Sequence, residues 1–140
     1  MANEATKILD SQKWGESVNT NSVGQITKGT LMYLTDENNA YATTAQTRGG
    51  GTLSGAWGGI ASSDKVSGAS RVTLEHGGVF DLTLNASNVS VSIGDPIVFS
   101  GANLVDKASV AESESGAHFG FSQAASGAAS GEVIRVRVVR

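Results

Sequence analysis

The 140-residue sequence has no cysteine, one proline, two histidines and an aromatic content of only 6%. Without cysteine there is no disulfide, no thiol nucleophile and no Cys-based metal site, so stability must come from packing or from partners. So few rings mean that the core of a chain that is 39% hydrophobic has to be built from Val, Leu, Ile and Ala in thin layers. Concentrated positive charge is also missing. The formal net charge is −3 and the Lys and Arg residues are scattered, whereas neutralising phosphates takes a basic stripe, so nucleic acid is not an expected partner. The longest uninterrupted apolar run, Leu31-Met32-Tyr33-Leu34, is far too short for a membrane span. The polar start Met1-Ala2-Asn3-Glu4 has no signal-peptide apolar region. The expected setting is therefore the cytoplasm of the producing cell, with no membrane partner.

What is present is glycine, 18 residues of it, without collagen-like period and without the net charge of a disordered chain; many tight turns are implied. The length fits one domain. Residues 1–25 are polar and sparsely apolar, at Ile8, Leu9, Trp14 and Val18, too little to order themselves, and read as a flexible N-terminal arm. Residues 26–140 read as a single β-rich domain. Short β-type runs alternate there with Gly, Asn, Asp and Ser: Leu31–Thr35, Ala40–Thr44, Gly58–Ser62, Arg71–Glu75, Val79–Leu84, Val89–Ile93, Pro96–Ser100, Leu104–Ala108, His118–Ser122 and Glu132–Val139. Phe80, Leu82 and Leu84 share one face, with Asp81 and Thr83 on the other. Asp36-Glu37-Asn38-Asn39 and Ser100-Gly101-Ala102-Asn103 carry short polar residues that tolerate turn conformations, so each predicts a hairpin. The Ala-rich stretch Ala124–Gly131 and the segment Asp106–Ser115 are both expected to be loops, the first because two glycines and two serines interrupt it.

The second half repeats the first in outline. Lys28-Gly29 leads into a strand and a hairpin, then Gly59-Ile60-Ala61-Ser62, with Val72-Thr73-Leu74 beginning 13 positions after Gly59. Gly94-Asp95 leads into a strand and a hairpin, then Gly120-Phe121-Ser122-Gln123, with Val133-Ile134-Arg135 beginning 13 positions after Gly120. Two similar β-units packed together would make a compact sandwich or small barrel, because neither unit covers its apolar face alone.

Few residues suggest chemistry. His76 precedes Gly77-Gly78 and His118 opens a strand, positions that suit turn or interface histidines better than a base or ligand. A triad of His76, Asp81 and a serine would need a strained Gly-x-Ser-x-Gly turn, which the sequence lacks. Asp36–Asn39 misses the glycine and distal Glu of a calcium loop, and Gly49-Gly50-Gly51 is not followed by Gly-Lys-Ser/Thr. Asn85-Ala86-Ser87 and Asn88-Val89-Ser90 match the glycosylation acceptor as accidents of an Asn- and Ser-rich chain. No enzyme activity, metal or cofactor is expected. The C-terminal run places Ile134, Val136 and Val138 on one face and Arg135 and Arg137 on the other. That is an ordinary half-buried strand with a solvated charged face; the sharper alternative pairs the two arginines with acids of a neighbouring subunit around Glu112 and Glu114.

Leu31-Met32-Tyr33-Leu34-Thr35-Asp36, Gly55-Ala56-Trp57-Gly58-Gly59-Ile60-Ala61 and Val72-Thr73-Leu74-Glu75-His76-Gly77-Gly78-Val79-Phe80 resemble, in order and character, the lambda-type head decoration protein of tailed phages. Ile93–Phe99, Gly120-Phe121 and Gly131–Val136 are similar to the broader phage capsid cement family. The resemblance covers most of residues 26–139, and the chain departs from it in being longer after Val89. It implies a homotrimer on the outside of an expanded virion capsid, made in the host cytoplasm and bound to the major capsid protein. It also implies an N-terminal arm that orders against that protein by adding a strand to its sheet. Ile8, Leu9, Trp14 and Val18 are the expected capsid-binding anchors, Trp14 foremost because buried Trp is enriched among interface hot spots. The expected fold is all-β: a small sandwich or barrel, β-tulip-like, built from two similar β-units, with an extended arm and little helix. The alternatives are a tail- or fibre-associated β-domain and a surface carbohydrate-binding module, the latter poorly served by dispersed aromatics.

Overall fold

A computed structural model describes residues 4–9, 15–20, 24–36, 39–42, 57–85, 90–116, 118–125 and 131–139. Its strands are β1 (Thr6–Leu9), β2 (Gly15–Asn19), β3 (Leu31–Asp36), β4 (Asn39–Ala42), β5 (Trp57–Ala61), β6 (Arg71–Glu75), β7 (Gly78–Leu84), β8 (Pro96–Phe99), β9 (Leu104–Lys107), β10 (Gly120–Ser122) and β11 (Val133–Val138), with one short helix, α1 (Val110–Glu114). Among the described residues the fold is all-β apart from that helix. Strands β2-β4-β3-β5-β6 form a closed barrel. Strands β7-β11-β10-β8-β9 follow one another in the second sheet, and a parallel contact between β7 and β9 joins the two ends, with β1 attached to β7 as an additional strand.

The two rings are the same structure twice. In chain order β2 to β6 correspond to β7 to β11, and the registers agree residue by residue. Met32 pairs with Ala42 as Ile97 pairs with Lys107, and Leu31 with Ile60 as Pro96 with Phe121. Ile60 and Ala61 pair with Glu75 and Leu74 as Phe121 and Ser122 pair with Arg137 and Val136. The parallel closures match too, Asn19 with Asn39 and Thr83 with Leu104. Turn hydrogen bonds repeat in step: Gly29 N–H to Ala61 O at 2.8 Å and Gly94 N–H to Ser122 O at 2.7 Å, Ser62 N–H to Thr73 O and Gln123 N–H to Arg135 O. Glycine is required where β5 and β10 pass the last strand of their ring. A Cβ on Gly59 would lie 2.7 Å from the Glu75 carbonyl oxygen, and one on Gly120 2.5 Å from that of Arg137.

The inner faces follow the period-2 rule. In the first barrel Val18, Ile26, Met32, Ala61, Val72 and Leu74 form one buried cluster. Their counterparts Leu82, Val91, Ile97, Ser122, Ile134 and Val136 are all buried in the second barrel. The larger cluster also takes in Leu31, Tyr33, Trp57 and Ile60 from the outside of the first barrel, so β5 is buried along its whole length as a wall shared by both. Trp57 stacks on Phe119 with ring centroids 4.3 Å apart. Each such side chain removed from water contributes roughly 1.5–3 kcal/mol. The second hairpin adds a polar tie: buried Asn103, at φ 54°, accepts the Leu31 N–H on Oδ1 at 2.9 Å.

Four expectations need correction. Within the expected arm, Thr6–Leu9 pair with β7 and Gly15–Asn19 are the first strand of the first barrel, so these segments do not stand apart; residues 1–3, 10–14 and 21–23 lie outside the described residues. A polar strand such as Gly-Glu-Ser-Val-Asn holds its place because β6 pairs with it along its whole length, Asn19 closes the ring on Asn39, and Val18 supplies an inward apolar residue. Val89–Ile93 is not a strand among its described residues; Val91 makes an isolated bridge, and Ser92–Asp95 is a turn that leaves Ile93 exposed. Asp106–Ser115 is not loop throughout, since β9 runs to Lys107 and α1 follows. Its capping box has Glu112 N–H donating to Ser109 Oγ and Ser109 N–H to the Glu112 carboxylate. The repeat is also framed differently at its last strand, where Val72 corresponds to Ile134 rather than Val133. The stretch 124–131 is described only at its ends.

Two substitutions test this architecture. Gly120→Ala is expected to lower stability by about 1–3 kcal/mol, since the opposing backbone must shift, whereas Gly24→Ala, with nothing near its added carbon, stays within about 0.5 kcal/mol of wild type; urea denaturation of both decides. Asn103→Ala strands the buried Leu31 N–H and is expected to lose about 1–3 kcal/mol, read as a lower denaturation midpoint at unchanged slope.

Candidate functional site

The expected capsid-binding residues do not share one fate. Ile8 and Leu9 belong to β1, which pairs antiparallel with β7 through Thr6↔Asp81, Lys7↔Phe80 and Leu9↔Val79, with an irregularity between Lys7 and Leu9. Trp14 lies outside the described residues. Val18 is 4% exposed inside the first barrel and belongs to its core rather than to a contact surface.

The arginine pair is also divided. Arg135 Nε donates to Asp81 Oδ1 at 3.0 Å across β11 and β7, and this charge-assisted contact raises the guanidinium pKa further. Arg137 lies beside Gln123, which accepts from Nε at 3.0 Å and Nη2 at 3.1 Å when its amide carbonyl faces the guanidinium. Glu112 serves the α1 cap, and Glu114 is exposed at the end of that helix. The strand alternates exposed and buried residues from Val133 to Val138, as an ordinary half-buried strand should. Asp81 was not foreseen as the partner of Arg135, although it stands directly opposite in the register.

Two surfaces have the geometry to receive something. The first is the N-terminal strand. β1 ends the sheet order beside β7, and among the described residues no strand pairs with its other side. Its lead-in is anchored by Ala5 N–H donating to Gly29 O at 2.6 Å, and beneath it lies a small recess of about 70 Å³. The second is a shallow groove of about 520 Å³ on the outside of the second barrel, lined by Ile93, Gly94, Phe121, Ser122, Gln123 and Arg137. Ile93 is 73% exposed and Phe121 37%. His118 lies against Phe121, ring centroids 5.2 Å apart. Tyr33, Trp57, Phe80, Phe99 and Phe119 are buried, so these rings offer no exposed row for stacking sugars.

At the rim of the groove, the turn before β8 is held by Asp95. Its carboxylate accepts the Ser92 N–H at 2.7 Å and pairs with Lys107 Nζ at 2.9 Å. Burial by itself would raise the Asp95 pKa, but the Ser92 N–H and the Lys107 ammonium together outweigh it and hold the carboxyl below its ordinary value.

Comparison with protein-family models gives no match, and comparison with curated proteins gives none either.

A carboxyl whose pKa is lowered by folding stabilises the protein above its unfolded-chain value, here about 3.8, and that contribution disappears as pH falls through the lower folded-state value. Asp95→Asn is therefore expected to be less stable than wild type at pH 7, with the gap shrinking once the pH drops below about 4. Parallel urea titrations from pH 7 to pH 2.5 would show it, and a gap independent of pH would refute the assignment.

Proposed function

We propose that this chain is a capsid decoration protein that binds the outside of an assembled, expanded phage head and stabilises it by bridging major capsid protein subunits, self-associating as a trimer. The observation that best supports this reading is β1, a four-residue edge strand with an open side among the described residues. An edge of this kind presents backbone N–H and C=O groups to an extended segment of another chain, and main-chain hydrogen bonds then supply the affinity. The contact with the shell is thus assigned to a strand already seated on the second barrel, with the shell protein extending the sheet beyond it. A decoration protein needs little from each contact. Hundreds of copies shift the equilibrium toward the assembled shell by mass action, and the reading asks for no chemistry at His76 or His118.

The test is co-sedimentation with expanded, undecorated capsids. Removing residues 1–9 is expected to weaken binding at least tenfold, roughly 1.4 kcal/mol or more, while both barrels keep a cooperative thermal transition. Removing residues 1–20 is not a clean test, because it takes away β2 and Val18. Full binding by the 1–9 deletion would discard the β1 contact, and failure of the whole chain to bind would discard decoration itself.

A further inference from the structure

We draw no further inference here: the strongest candidate, the shallow groove on the outside of the second barrel where Ile93 and Phe121 are exposed beside Arg137, is an unpartnered apolar face, and nothing in the structure shows what covers it.

Discussion

A ring of five short strands stays closed only if its first strand reaches its third. Here that closure is a short parallel contact in each barrel, Asn19 with Asn39 and Thr83 with Leu104. Much of the structure depends on it. With β2 in place, β6 is paired along its length, β4 is joined at Asn39, and Val18 completes the first core. With β7 in place, Phe80, Leu82 and Leu84 fill the second. Closure removes edges that would invite uncontrolled pairing with other chains, and leaves such exposure to chosen places.

The barrels are not independent beads. The outer residues Leu31, Tyr33, Trp57 and Ile60 of the first belong to the main core of the second, while Asn103 reaches back from the second hairpin to Leu31 of the first. Ala5 then bridges both, touching the first barrel at Gly29 while the strand it leads into lies on β7. The two barrels therefore share one core, and the same position differs in cover: Ile60 is 1% exposed and its counterpart Phe121 37%.

Several features were legible from residue types. Alternation in Phe80–Leu84 and Val133–Val138 reported strands whose inward face really is buried. The turn residues at 36–39 and 100–103 marked real hairpins. The internal repeat was visible because the same Gly positions are forced by the same close approach to a carbonyl. Other features were hidden. Glu16 to Asn19 carry no apolar pattern beyond Val18, so nothing local distinguishes a closing strand from a polar tail. The Ser109–Glu112 box was readable but short, and Lys65 looks like a surface residue, yet it is 4% exposed with Nζ donating to Ala69 O at 2.9 Å.

What the sequence determined by itself was the class of structure: β-rich, cysteine-free, glycine-turned and doubled, because side-chain period and turn chemistry are local properties. Which strands close each ring, that Arg135 answers to Asp81, and that Ile60 is covered while Phe121 is not were decided only by the tertiary structure. These depend on pairings between residues far apart in the chain, and the two halves, nearly equivalent in pattern, become different only when one is packed against the other.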